Sequence, residues 1–234
     1  AVMRVVIKKY ATDIVGCSEK AGEYMCGKRL FRERGTVLPN YVNTDEYSFN
    51  AERRLQKRKE LGITNELLVG HTGSIYWIKN QTFLVSLLAR LLELRPDARL
   101  MLVGEENDGG ETRALAEKLN VADKVMFMGS RDDIPDLLCA MDIFMFPSRF
   151  EALPIAPIEA QAAGLPCIVS TGVPEEIKVT DSFARLSLDA PAEQWIEKIA
   201  EFSAFDRTKS DLTELKARYS AQSIARKLNA LYES

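Results

Sequence analysis

Short apolar runs alternate with longer amphipathic stretches along most of the chain, and from residue 66 the alternation is regular. Apolar runs at 67–72, 99–103, 124–128, 142–146 and 166–170 predict strands, and a last run at 182–188 follows them. The intervening stretches carry apolar residues at three- and four-residue spacing and predict helices over 80–94, 111–119, 133–140 and 157–163, with another over 192–204. In the first of these helices Phe83, Leu84, Leu87, Leu88, Leu91 and Leu92 share one face, and Pro96 ends it. Runs such as 99–103 (RLMLV) and 142–146 (DIFMF) are apolar nearly throughout, which requires cover on both faces of a sheet. Strands alternating with helices of this length pair in parallel through right-handed crossovers. The fold class is therefore α/β, an open, doubly wound parallel sheet. Such sheets bind ligands beyond the carboxyl ends of their strands, where the strand order reverses. That rule gathers the loops 73–79, 104–110, 129–132 and 148–154 around one crevice.

The two ends of the chain read differently. Residues 2–11 predict the end of a helix and 13–17 a short strand. Ser18 is placed to cap a helix over 19–30 with Ala21, Tyr24 and Met25 on one face. A second short run, 36–38, stops at the Pro39-Asn40 turn signal. Two such strands cannot bury both their faces, so residues 1–38 are expected to be the tail of a preceding domain, in a chain that begins at Ala1. The stretch 41–50 (YVNTDEYSFN) reads as irregular, followed by a charged helix over 51–61 that Gly62 stops. Helices over 208–219 and 221–233 close the chain.

Composition narrows the function classes. The 234 residues are 46% hydrophobic and 28% charged, with a net charge of −3, which suits one generous domain or a domain plus a fragment. Basic and acidic residues are interspersed, so neither a nucleic-acid footprint nor attraction to anionic lipid is expected. Cys17, Cys26, Cys139 and Cys167 form no CxxC pair and read as reduced, mostly buried thiols of a cytoplasmic protein. No apolar run approaches the ~18 residues that a membrane span needs, and no signal peptide is visible.

The candidate chemistry centres on 142–170 (DIFMFPSRFEALPIAPIEAQAAGLPCIVS), read as strand, turn, helix, turn, strand. Pro157 suits a first helical turn. The free N–H groups of such a turn favour an anion by ~0.3–1 kcal/mol. Glu159 falls near the third helical position, where the plainer reading is a carboxylate that complements the helix end, and the plainer reading of Glu151, in the loop before it, is a solvated loop charge. Together the two carboxylates would repel a phosphate unless a cation intervenes, yet carboxylates accept well from vicinal hydroxyls. A ligand with both a diphosphate and sugar hydroxyls reconciles the acidic residues with the helix start. Lys79, in the first strand-end loop, supplies a countercharge. There is no GxGxxG, no P-loop motif, no D-x-D pair and no His/Cys metal spacing. His71, the one histidine, lies in an apolar strand and reads as structural, and Ser148 lacks the surroundings of a nucleophile.

The run EALPIAPIEAQAAGLPCIVS resembles the E-x7-E region of retaining GT-B glycosyltransferases, the family 4 (glycosyl transferases group 1) enzymes, in their exopolysaccharide or capsule branch. GSRDDIPDLLCAMDIFMFPS, GHTGSIYWIKNQ, ATDIVGCSEKAGEYMCGK and VLPNYVNTDEYSF extend the likeness over nearly the whole chain. The resemblance implies a Rossmann-like donor-binding domain at 39–220. It also implies an acceptor-domain remnant at 1–38 and a helix at 221–234 that packs back on the N-terminal domain through Ile224, Leu228 and Leu231. It assigns Glu159 to ribose hydroxyls, Glu151 to the transferred sugar and its anomeric centre, and Lys79 to the diphosphate. Gly73, Ser74, Leu153, Pro154 and Ile155 would line the donor, with main-chain N–H groups at Leu153 and Ile155 meeting its oxygens. Gly129 and Arg131 would border the base. The implied enzyme is a retaining hexosyltransferase in polysaccharide biosynthesis that takes a nucleoside-diphosphate sugar, a UDP-sugar favoured. It would need no cofactor or metal, and it would receive its acceptor glycan or lipid-linked glycan through a missing N-terminal domain, with at most peripheral membrane contact.

Three positions depart from the family pattern: Ser74 where an arginine is usual, Ala152 in place of a glycine, and Tyr41 in place of another. Loss of a bidentate guanidinium would weaken diphosphate binding by ~1.5–3 kcal/mol. These departures keep open a non-catalytic GT-B binding module, and a GT-B nucleotide-sugar epimerase is a further alternative.

Overall fold

The computed structural model describes residues 2–233. Six parallel strands form the main sheet: β3 (Leu68–Thr72), β4 (Arg99–Val103), β5 (Val125–Phe127), β6 (Ile143–Phe146), β7 (Cys167–Ser170) and β8 (Phe183–Leu186). Their order is β5-β4-β3-β6-β7-β8. The chain steps outward from β3 to β5, then returns to place β6 on the other side of β3. The strand order therefore reverses between β3 and β6, which are paired through Val69 with Ile143 and Gly70 with Phe144.

Strand pleating sends alternate residues to opposite faces, and two apolar clusters result. Leu68, Met101, Phe144, Phe146 and Cys167 meet Ile158 of α9 (Ala156–Ala162) and Tyr219 of α11 (Thr213–Tyr219) on one face. On the other, Val69, Leu100, Leu102, Ile143, Met145 and Ile168 meet α6 (Gln81–Leu91) and Trp195 of α10 (Ala192–Ser203). Each fully buried large side chain contributes ~1.5–3 kcal/mol, so the doubly covered sheet anchors the molecule. α7 (Glu111–Lys118), α8 (Ile134–Ala140) and α12 (Ala221–Tyr232) are further helices of this part.

The charged helix α5 (Ala51–Glu60) is not a solvated rod. Arg58 is buried, and its guanidinium donates to the carbonyls of Ala140, Thr64 and Glu66 and to Asp142. Arg54 donates to the carbonyls of Cys139, Ala140 and Met141 and also pairs with Asp142. Arg207 adds bonds to the carbonyls of Cys139 and Met141. Three guanidinium groups thus satisfy the open carbonyls at the end of α8, which would otherwise be costly to bury.

A separate two-stranded parallel sheet pairs β1 (Ile14–Gly16) with β2 (Gly35–Val37). It carries α1 (Val2–Tyr10), α2 (Glu19–Cys26) and α3 (Lys28–Arg34). Ser18 caps α2 as expected, its hydroxyl accepting from the Ala21 N–H. The single helix predicted over 19–30 is broken at Gly27, whose φ of +97° ends one helix and begins the next. The expected Ala21, Tyr24 and Met25 face is also corrected. Gly22 and Cys26 face the small core with Phe31, while Tyr24 and Met25 are exposed. The ring of Phe31 fills the space a side chain at Gly22 would need, so a residue invisible to apolar counting sets which face is buried. Cys26, Cys139 and Cys167 are buried free thiols, and Cys17 is partly exposed. Among the described residues no helix is long and apolar enough to cross a membrane.

Candidate functional site

Three neighbouring strands end alike. Gly73 after β3, Gly104 after β4 and Gly129 after β5 adopt φ values of +142°, +144° and +64°, which glycine reaches without a Cβ penalty. The Gly73 N–H donates to the Val103 carbonyl at 2.8 Å and the Gly104 N–H to the Gly129 carbonyl at 2.9 Å. The fit is close: a Cβ at position 104 would stand 2.2 Å from the Gly73 carbonyl oxygen. The predicted site positions Gly73, Ser74 and Gly129 therefore lie along one continuous rim, with Ser74 exposed on it.

Beneath the rim sits His71, fully buried and stacked on Phe146 at 5.1 Å between ring centroids. Its Nδ1 lies 2.9 Å from the Met145 carbonyl and its Nε2 3.1 Å from the side-chain nitrogen of Gln81. That amide nitrogen also donates to the Ser74 carbonyl at 2.9 Å, while the amide oxygen accepts from the Tyr76 N–H at 3.3 Å. A neutral ring with its proton on Nδ1 satisfies every one of these bonds. Burial pushes the imidazole down to about 4. His71 braces the 73–79 loop, in agreement with the structural reading of the sequence.

Lys79 closes that loop. Its Nζ lies 2.7 Å from Oε1 of Glu151 and 4.7 Å from the centre of the Phe146 ring. Both partners are largely enclosed, with 18% and 14% of their side-chain surfaces exposed. The two loops are stitched together below the pair. The Arg149 N–H donates to the Ile78 carbonyl at 2.8 Å, and Asn80 donates to the Pro147 carbonyl at 3.2 Å. Because Lys79 follows β3 and Glu151 follows β6, the ion pair spans the place where the strand order reverses.

Glu159 is the fourth residue of α9, one position later than the sequence suggested, because the helix begins at Ala156. Its Oε1 accepts from the Tyr47 hydroxyl at 2.8 Å. Burial raises its pKa, the Tyr47 bond opposes that shift, and Glu46 adds to it. Tyr47 in turn is raised, first by burial and then by the Glu159 charge. Before α9, Pro154 is buried, while Leu153 and Ile155 pack partly against the core. Among the described residues nothing accepts from the N–H groups of Leu153 or Ile155.

Tyr47 is the residue that sequence reasoning missed. It ends α4 (Thr44–Tyr47), a short helix inside the stretch read as irregular. The signal for that helix was present: Asn43 accepts from the Glu46 N–H and donates to the Glu46 carboxylate, a capping pair at the usual spacing. Nothing in the sequence joins position 47 to position 159. Arg131 makes no bond to the gathered residues. Its guanidinium makes two 2.7 Å bonds to Asp133, which also receives Lys57 at 2.9 Å. Those partners, Arg131 first, hold the Asp133 carboxyl well below the usual carboxylate range. The small N-terminal sheet reaches the site loop as well: the Ser18 hydroxyl lies 3.3 Å from the Ala152 carbonyl, and the Lys20 ammonium 4.6 Å from the Phe150 ring centre.

The sheet is Rossmann-like, and the loop and helix that carry Glu151 and Glu159 stand at its switch point, as the resemblance to glycosyltransferases implies. Residues 53–222 match the family described as glycosyl transferases group 1, and the chain belongs to that family. EpsF of Bacillus subtilis (strain 168), named as a glycosyltransferase, is 34% identical over 213 residues, covering 90% of this chain and 56% of that protein. The UDP-Gal:alpha-D-GlcNAc-diphosphoundecaprenol alpha-1,3-galactosyltransferase of Escherichia coli is 28% identical, covering 72% of this chain and 45% of its own length. The chain thus spans about half the length of these relatives. Among solved structures, Anabaena HepE in complex with UDP superimposes with a TM-score of 0.82 at 20% identity, over 98% of this chain and 65% of that one. A glycosyltransferase from Rickettsia africae ESF-5 gives 0.84 at 18% identity, over 99% of this chain and 66% of that one.

Proposed function

We propose that this chain is the donor-binding part of a retaining glycosyltransferase and that the switch-point crevice holds a nucleoside-diphosphate sugar. The observation that carries the reading is the Lys79–Glu151 pair, a cation and a carboxylate held 2.7 Å apart between the two loops that flank the reversal of strand order. Lys79 takes the diphosphate in place of Glu151, so arrival of the ligand exchanges one anion for another on the ammonium. Glu151, released, faces the sugar at its anomeric centre. Glu159 receives the ribose hydroxyls, and the N–H groups of Leu153 and Ile155 meet phosphate or sugar oxygens. Gly73, Ser74 and Pro154 line the donor, and Gly129 and Arg131 border the base. As the bond from the sugar to the diphosphate breaks, negative charge grows on the departing phosphate, and Lys79 stabilises it where it develops. The acceptor hydroxyl then attacks from the face the diphosphate leaves and passes its proton to the departing diphosphate oxygen, which retains the anomeric configuration. No cofactor is assigned, and the charge is met by Lys79 rather than by a metal.

A uridine nucleotide is the favoured donor, supported by the UDP in the HepE complex and the UDP-Gal in the Escherichia coli relative's name. Residues 1–38 and 221–234 are assigned to an N-terminal acceptor domain and to the helix that packs on it. The exposed Val15, Val37 and Leu228 support that assignment. The acceptor is a glycan or lipid-linked glycan of polysaccharide synthesis, and the enzyme works in the cytoplasm. Titration calorimetry with UDP, GDP and ADP tests the site. At least one diphosphate is expected to bind, and Glu159→Gln is expected to weaken it about tenfold or more, since hydrogen bonds to a charged group contribute ~1.5–3 kcal/mol. A folded chain that binds none of the three would sink the reading.

A further inference from the structure

Glu159 projects from α9, and its carboxylate is held from outside the strand-end loops. The Tyr47 hydroxyl donates to Oε1 at 2.8 Å, and no bond to another described residue engages Oε2. The phenol is itself fixed. Its ring packs partly against the main core cluster. The helix that carries it is tied down at both ends: the Val42 N–H donates to the Tyr219 carbonyl at 2.8 Å and Arg53 to the Glu46 carbonyl at 2.9 Å. A glutamate side chain that must find its rotamer on binding loses freedom at that moment, whereas one already held loses little.

We propose that Tyr47 is a positioning residue that presets the Glu159 carboxylate, leaving one oxygen and the remaining lone pair of the other to accept the two ribose hydroxyls of a nucleoside diphosphate. The inference rests on the ribose assignment of Glu159 made above. It gives the segment 41–50 a function in donor recognition: a shift of α4 changes the grip on the ribose without moving a strand-end loop.

The test compares whichever of UDP, GDP and ADP binds this chain most tightly with its 2′,3′-dideoxy analogue, by titration calorimetry on the unmodified chain, Tyr47→Phe, Glu159→Gln and the double variant. Thermal unfolding is recorded for each. Tyr47→Phe is expected to weaken the ribonucleotide about tenfold, the worth of a hydrogen bond to a charged group, and to leave the dideoxy analogue within about twofold. The double variant is expected to bind no more weakly than Glu159→Gln alone, because the tyrosine acts only through the carboxylate. Unchanged ribonucleotide affinity in a folded Tyr47→Phe overturns the proposal, and so does an equal loss for both nucleotides, which marks a merely structural residue. If instead Glu159→Gln keeps the full preference for the ribonucleotide, or no diphosphate binds at all, it is the ribose assignment that falls and the role of Tyr47 with it.

Discussion

His71 is buried and Glu159 partly so, and burial moves the two in opposite directions, His71 down and Glu159 up. His71 is pushed down to about 4 by burial, against ~6.5 in an unfolded chain. Between those values the unfolded chain binds a proton that the folded chain refuses, so stability falls as pH drops from ~6.5 towards 4 and is unaffected by this group at higher pH. The full difference corresponds to about 3 kcal/mol. His71→Gln should be less stable at pH 7.5, having lost the imidazole that braces Gln81, yet should show a shallower acid decline. Urea midpoints from pH 4.5 to 7.5 measure both, and parallel pH profiles for the two proteins would show that His71 is not the titrating group. At this scale the carboxylates and the lysine could be read from residue type and spacing alone. The partner of each could not. Tyr47 meets Glu159 across 112 positions and Lys79 meets Glu151 across 72, and such pairings exist only once the sheet has been assembled.

The strands and their parallel pairing follow from apolar runs and crossover handedness, so an open parallel sheet was legible in the sequence, whereas the order β5-β4-β3-β6-β7-β8 was not. The turns that end the strands were legible only as glycines. What makes Gly104 indispensable is its neighbour: a Cβ there would meet the Gly73 carbonyl at 2.2 Å, in a backbone with φ of +144°. Gly110 also has positive φ, at +89°, but open space around the missing side chain. Gly104→Ala should therefore cost about 2 kcal/mol or more, combining backbone strain with a steric clash, whereas Gly110→Ala should cost only about 1 kcal/mol for its backbone alone. Chemical denaturation of the two variants decides the matter, and equal losses would mean the rim relaxes without penalty. The charged helix α5 shows the converse. Its pattern showed only a charged helix, and the partners of Arg54 and Arg58 are carbonyl groups at the end of α8, a demand that arises from a helix more than 70 positions away.

The molecule combines a six-stranded sheet covered on both faces with a two-stranded sheet that has little to bury. The larger unit holds two extended clusters around Trp195, Phe144 and Leu102. The smaller centres on Ile14, Cys26 and Phe31 and leaves Val5, Val6, Tyr10, Val15 and Val37 exposed. A pair of strands is marginal without more surface to cover, and local opening follows the amount of apolar contact an element makes. The two units touch where Ser18 approaches Ala152 and Lys20 approaches Phe150, and a single neutral hydrogen bond or a cation–aromatic contact of this kind contributes only ~1 kcal/mol. Contacts that weak do not couple the small unit to global unfolding. Amides of Ile14–Gly16 and Gly35–Val37 are therefore expected to exchange with deuterium roughly a hundredfold faster, or more, than those of Leu68–Thr72 and Arg99–Val103. Mass spectrometry of peptic fragments resolves the two sets. Equal protection would show one cooperative unit and would remove the support for assigning residues 1–38 to a separate domain. Unequal protection would also explain how the site loop around Ala152 and Phe150 keeps its shape: the main sheet holds it through the Glu151 N–H, which donates to the Gly172 carbonyl at 3.1 Å, and the contact with Ser18 can open without disturbing the Lys79–Glu151 pair.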